Sequence, residues 1–269
     1  MKGMMKTNLA KLAITISALS LTLGFAQTAS PQTPNSAHQP TTQTSTQKSS
    51  PPNSSRDLEP VLSQMDESSK GFRNAQADFE WRQYQKVVDE TDIQKGTIYF
   101  VRGDREKDNK DKGEKGTEMA ADITVPDKKT IVFAGGDLKL YQPRIDQLTL
   151  YHAGEKTGDL ESFLVLGFGS RGHDLPKAFD VKFDGYETID NIRVAKLTMT
   201  PKSQKVSNIF QRVTLWIDTA RDLSLKQQFF EPSGDYRIAI YSNFKLNGKI
   251  HDDVFKIKTT SKTQVITPQ

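Results

Sequence analysis

The stretch Ile131–Tyr151, IVFAGGDLKLYQPRIDQLTLY, decides the fold. Ile131–Ala134 is β-branched and aromatic, and Leu138–Tyr141 runs Leu, Lys, Leu, Tyr. Gln147–Tyr151 sets Leu148 and Leu150 against Gln147 and Thr149. Gly135, Gly136 and Asp137 supply the first turn, because Gly accepts positive φ and Asp bonds its own backbone. Pro143 marks the second turn. Three short antiparallel strands follow from this pattern, with one apolar face and one wet face.

The same alternation extends in both directions. Ala75, Ala77, Phe79 and Trp81 alternate with polar residues, Gly96–Arg102 (GTIYFVR) is a strong strand, and Met119–Val125 alternates until Pro126. Downstream, strands are expected over Ala178–Phe183, Val194–Thr200, Val213–Asp218, Leu223–Phe230, Asp235–Ser242 and Asp253–Thr260. Their short spacing argues against βαβ crossovers and for an antiparallel meander that curls into a barrel or half-barrel. Two helices interrupt it. Leu58, Val61, Leu62, Met65 and Phe72 recur at helical spacing, which predicts a helix over Leu58–Phe72. Asp57 is its expected N-cap, Pro60 falls in its first turn and Gly71 marks its end. Asp159–Gly167 fits a second, shorter helix with Leu160, Phe163 and Leu164 on its apolar side. Gly103–Gly116 is a charged loop, read as a solvated hairpin tip.

The N-terminal quarter has a different composition. Residues 1–26 read as a cleaved secretory signal peptide, with Lys2, Lys6 and Lys11, a mostly apolar Leu9–Leu23 and the small-x-small ending Gly24-Phe25-Ala26. The rival, a membrane anchor, is disfavoured because Lys11 and several Ser and Thr break a run shorter than the roughly 18 residues a span needs. Residues 27–56 are rich in Pro, Ser, Thr, Gln and Asn, lack aromatics and large aliphatics, and read as a disordered tether. Residues 57–269 form one domain large enough for a real core. The formal net charge of +4 comes from the lysines of the leader with Lys48 and Arg56 of the tether, so the domain itself is nearly neutral. That gives no electrostatic case for nucleic acid or an anionic membrane surface. The absence of Cys excludes a lipidated N-terminus, disulfides and zinc-thiolate sites.

Motifs that would carry catalysis are weak. Gly167, Gly169 and Gly172 spell GxGxxG, but a helix rather than a strand precedes them and Pro176 follows closely, so a loop is the better reading. Ser170 lacks the spacing of a nucleophile elbow. The four histidines are scattered, with only His152 and His173 left as a pair that folding could bring together, and no carboxylate pair stands out from a solvated surface. No catalytic residue, metal site or cofactor is assigned. A curved sheet with one apolar face has two outcomes. Side chains fill the concavity as an ordinary core, or helices cap it over a lipid pocket.

The order of features resembles the periplasmic outer-membrane lipoprotein carrier (LolA) family. The likeness rests on GTIYFVR, on Val125-Pro126, on Ile131-Val132-Phe133 with Gly136, and on Leu140-Tyr141-Gln142-Pro143 with Asp146-Gln147-Leu148. Asp159–Gly169 with Asp174-Leu175, and Phe255-Lys256-Ile257, extend it. Gly103 in place of a family Pro, the charged insertion after it, Thr259-Thr260 and the long tether depart from the pattern.

The resemblance implies a mainly β, α+β fold: an unclosed antiparallel barrel with a helical lid over a hydrophobic cavity. It further implies a monomeric, non-enzymatic periplasmic carrier that binds acylated lipoproteins. Such a carrier receives them from an inner-membrane ABC transporter and delivers them to an outer-membrane acceptor. Arg102 corresponds to the family arginine that bonds lid carbonyls and holds the empty cavity shut. Wall candidates are Phe79, Trp81, Ile98, Phe100, Ile123, Ile131, Phe133, Leu138, Leu140, Leu148 and Leu150, with Leu62, Met65, Phe163 and Leu164 from the lid. A one-residue slip of register would swap every face assignment. A lipid or envelope-stress sensor of the same fold, and a secreted enzyme or β-domain with a filled core, stay open as alternatives.

Overall fold

A computed structural model describes residues 54–103, 116–152 and 166–268. The leader, most of the tether, the centre of the charged loop and the second predicted helix, with Phe163 and Leu164, lie outside them. The first helix, α1, spans Ser54–Gly71. It therefore starts before Asp57, which sits in the first turn rather than at the N-cap, and Pro60 falls in the second turn. Asp57 near the start and Lys70 in the last turn both suit the helix dipole. Asn247 caps the other end: its Nδ2 donates to the Gly71 carbonyl (2.9 Å), and its Oδ1 accepts from the Arg73 backbone N–H (2.8 Å).

Among the described residues, twelve strands form one sheet. They are β1 (Asn74–Gln85), β2 (Glu90–Val101), β3 (Glu118–Val125), β4 (Lys129–Ala134), β5 (Asp137–Gln142) and β6 (Gln147–His152). Then come β7 (Phe179–Ile189), β8 (Ile192–Pro201), β9 (Arg212–Asp218), β10 (Leu223–Phe230), β11 (Tyr236–Leu246) and β12 (Gln264–Ile266). Their order is β12-β6-β5-β4-β3-β2-β1-β11-β10-β9-β8-β7. Within β1–β6 and within β7–β11 chain neighbours pair antiparallel, and β1 joins the two runs by pairing with β2 on one side and β11 on the other. The two ends of the sheet, β12 and β7, do not meet, so the barrel is unclosed.

The register defines an inner face. Phe79, Ile98, Ala121, Ile131 and Leu140 lie on it in the β1–β5 run, and Phe183, Leu197 and Leu215 in the β7–β9 run. α1 packs on the second of these. Val61, Leu62 and Met65 join Phe179, Phe183, Leu197, Met199 and Leu215 in one cluster.

The C-terminus departs from expectation. Asp253–Thr260 is not a strand; Asp252–Phe255 is a 3₁₀ turn and irregular chain follows it. Phe255 and its neighbour Val254 both pack with Ala120 and Val132 on the outer face of β3 and β4, which strand alternation would forbid. Only then does the chain pair, as β12 alongside β6, and the pairing is parallel. Asp146 anchors it. Its carboxylate accepts from Thr263 Oγ1 (2.7 Å), Thr260 Oγ1 (3.0 Å) and Tyr141 OH (3.0 Å), and its carbonyl accepts from the Gln264 N–H (2.9 Å).

Candidate functional site

The inner face of β1–β5 with β11 carries a continuous apolar surface built from alternate residues. Phe79, Ile98, Phe100, Ile123, Ile131, Phe133 and Leu138 are buried in one cluster, with Trp81 and Leu140 half-buried at its margin. Leu148 and Leu150 are not there. They stand opposite Tyr141 and Lys139 in the ladder and so share the outer face, while Thr149 and Tyr151 point inward. Both alternating sets of this strand mix apolar and polar side chains, so its sequence did not reveal which set faces in. Leu62 and Met65 belong to the α1 core on the other half of the sheet.

Aromatic rings close the apolar surface from above. Phe72, one residue past α1, lies 5.9 Å from the Phe100 ring, and Phe168 lies 5.8 Å from it on a stacked path. Phe168 also meets Tyr241 edge-on at 5.0 Å, and Phe79 stacks on Trp81 at 4.1 Å. Phe168 is held in place by its neighbours. The Ser224 N–H donates to the Gly167 carbonyl (2.7 Å), the Gly169 N–H to the Asp222 carbonyl (3.1 Å) and Gln227 Nε2 to the Leu166 carbonyl (2.7 Å).

The GxGxxG glycines make this packing possible. A Cβ on Gly169, at φ +66°, would lie 2.2 Å from the Phe72 ring, and one on Gly172 would lie 2.2 Å from the Leu62 carbonyl oxygen. They are contact points between the 166–173 segment, α1 and its following Phe72, not a phosphate cradle.

Arg102, just past β2, donates from Nη1 to the Ser69 carbonyl in the last turn of α1 (2.6 Å). The rest of α1 is also tied down. Ser68 Oγ donates to the Thr219 carbonyl (2.8 Å), and Thr219 Oγ1 to Gln64 Oε1 (2.9 Å). His173 bridges two carboxylates of the helix, Asp66 through Nδ1 and Glu59 through Nε2 (2.9 Å). Hydrogen bonds to Asp66 and Glu59 raise the His173 pKa. Burial works on Asp66 in the upward direction, but the bonds from His173 outweigh it and hold the carboxyl below its usual range. His152 pairs instead with Asp137 (2.8 Å) on β5, so the two histidines serve different elements.

One acid was missed in the sequence. Asp222, in the β9–β10 turn at φ +54°, is fully buried and neither carboxylate oxygen has a hydrogen-bond partner. Burial pushes its pKa up to about 8, against the opposing pull of Arg102. Nothing in the local sequence TARDLS signals burial, since Asp in a tight turn is ordinarily solvated. Among the described residues, no group of three or more His, Asp and Glu is placed to hold a metal ion, and no helix is long and apolar enough to cross a membrane. A surface depression between β1, β2, β3 and β11 is lined by Asp78, Glu80, Arg82 and Lys95 together with Phe79, Val125 and Ile240.

Residues 70–258 match the family described as outer membrane lipoprotein carrier protein LolA. The chain belongs to the LolA family. No curated protein matches it in sequence. Among solved structures, an uncharacterized conserved protein from Thermus thermophilus is 12% identical, with a TM-score of 0.48 over 79% of this chain and 99% of the other. MucB is 13% identical, at 0.47 over 79% and 66%. A LolA superfamily protein from Nitrosomonas europaea is 16% identical, at 0.36 over 74% and 97%. The family match begins at Lys70, so it takes in Phe72, Arg102 and the whole β1–β11 sheet but little of α1.

Proposed function

We propose that this LolA-family protein is a periplasmic carrier that binds the acyl chains of lipoproteins against the inner face of β1–β5. It moves them from an inner-membrane ABC transporter to an outer-membrane acceptor. The observation that carries this reading is the ring-capped apolar surface. Phe79, Ile98, Phe100, Ile131 and Phe133 form one apolar face, half-exposed Trp81 and Leu140 stand at its margin, and two phenylalanines cover it. Each exposed CH₂ of an acyl chain costs about 0.8 kcal/mol in water, so burying about fourteen of them is worth on the order of 11 kcal/mol. A carrier must also release its cargo. A cover that prefers the empty cavity subtracts from net affinity, and the Arg102–Ser69 hydrogen bond favours the covered form.

Native mass spectrometry of the mature protein from periplasm, followed by lipid extraction and by uptake of an acylated lipoprotein in vitro, tests this. Bound acyl species, or uptake in vitro, support a carrier. A protein that arrives empty and takes up no lipoprotein has a filled core, and the reading is then wrong. Arg102→Leu should retain cargo more tightly and hand it on poorly; transfer at the wild-type rate would remove Arg102 from the release step.

A further inference from the structure

Arg102 and the backbone of Asp222 both hold parts of the cover over Phe100. Arg102 holds the Ser69 carbonyl, and the Phe72 N–H donates to that same oxygen (3.3 Å). Phe72 therefore hangs from the atom that Arg102 grips. The second covering ring, Phe168, hangs from Asp222, whose carbonyl accepts the Gly169 N–H (3.1 Å). The carboxyl on the same residue, Asp222, is fully buried, with both oxygens unpartnered. A buried acceptor left unpaired costs free energy and calls for an explanation. The donor in electrostatic reach is Arg102.

We infer that Asp222 is the second seat of the Arg102 guanidinium, and that Arg102 moves from the Ser69 carbonyl to the Asp222 carboxylate when cargo displaces Phe72. Asp222 is then a positioning residue that acts through Arg102. The inference rests on the carrier reading and deepens it. The proton balance follows from burial. Asp222, raised to about 8, carries its proton when the cover is closed at neutral pH. Pairing with Arg102 ionises it, and the proton leaves to solvent. Uptake of an acyl chain therefore releases a proton, and affinity rises with pH.

Asp66, facing Asp222 from α1, is tied to His173, and it raises the Asp222 pKa further. In the turn that holds Asp222, Arg221 Nε is bound to Asp218 (2.6 Å), while its Nη2 is buried without a hydrogen-bond partner. In the 166–173 segment, Ser170 presents an uncharged hydroxyl.

The test is the affinity of the full mature chain for a fluorescent palmitoyl probe between pH 6 and 9, for wild type and Asp222→Asn. Asn keeps the shape and tolerates the left-handed backbone, so the fold is retained; matched far-UV circular dichroism checks this. Wild-type affinity should rise by up to about tenfold per pH unit below 8, the limit for one released proton. Asp222→Asn should be flat, and direct calorimetry in two buffers should show proton release from wild type only. Equal pH slopes in the two proteins overturn the assignment while leaving the carrier intact. A wild-type protein that binds no probe at any pH overturns both. If Asp222→Asn unfolds, Arg102→Gln takes its place and must flatten the slope in the same way; an unchanged slope there also refutes the exchange.

Discussion

Over β7–β9 the inner face is covered by Val61, Leu62 and Met65 of α1, none more than 3% exposed. Over β1–β5 it is covered among the described residues by two phenylalanines, Phe72 and Phe168, that sit on turns and loop chain rather than in a helix. Both halves start from the same alternation of apolar and polar residues. The first half buries aliphatic side chains against a helix that is bonded at several points along its length, and it reads as a closed core. The second half ends in half-exposed Trp81 and Leu140, and its cover is held by the Arg102 guanidinium at Ser69 and by hydrogen bonds around Phe168. On the carrier reading, this difference makes α1 a structural element and puts the opening of the cover at its C-terminal end.

The sharpest test of that division sets Met65→Ala against Trp81→Ala. Met65 is fully buried in the α1 core, so its truncation should leave a cavity and cost about 2–5 kcal/mol. In a domain of this size that lowers Tm by several degrees in a thermal melt, while palmitoyl-probe affinity measured well below Tm stays near wild type. Trp81→Ala should lose about 0.5–1.5 kcal/mol from the Phe79 ring pair. Its effect should appear in probe binding instead. If the two variants show the same pattern, the halves are not functionally distinct.

Much of this division was legible in the residues, and the exceptions have causes. Ile131, Phe133, Leu138 and Leu140 fell on one face because Gly135-Gly136 fixes a tight hairpin and therefore its register. Leu148 and Leu150 went to the other face because the Pro143–Ile145 turn adds a 3₁₀ element whose length sets β6 in the opposite phase. The consecutive apolar runs Met119-Ala120-Ala121 and Ile131-Val132-Phe133 carried a signal that β3 and β4 are buried on both sides. The chain that covers the outer side, around Phe255, alternates like a strand and is placed by packing, which periodicity does not encode. Asp222 was illegible for a similar reason, since its surroundings come from segments far away in the chain, around Asp66, Arg102 and Gly169.

The glycines of the 166–173 segment link the two halves, and replacing them should cost less than the Met65 cavity but affect both. In Gly172→Ala the new methyl meets the Leu62 backbone, and in Gly169→Ala it meets the Phe72 ring at a positive φ. Each should destabilise by about 1–3 kcal/mol in urea unfolding, because neighbours must shift to make room. Gly169→Ala alone should also raise probe affinity, since the methyl pushes Phe72 off Phe100. Equal binding by the two variants would mean that Phe72 is not the movable part of the cover.

The smallest expected effect concerns the clasp at the front of α1. His173 joins Asp66 and Glu59, all of them partly or well exposed, so screening keeps the contribution modest. Because the folded-state pKa of His173 is raised, its stabilisation is fully present below the ordinary value of 6.5 and fades as pH rises through the raised one. Asp66 has the opposite limit. Its lowered pKa means that its share is lost only in acid, below the ordinary 3.8. Amide protection over residues 58–66, corrected for the intrinsic pH dependence of exchange, should therefore decline between pH 6 and 8 in wild type and stay level in His173→Gln. Protection thus falls over the pH range in which acyl affinity is expected to rise. If His173→Gln removes the pH dependence of acyl binding as well as that of protection, the helix moves as one body, and the boundary between the closed core and the movable cover has to be redrawn to include all of α1.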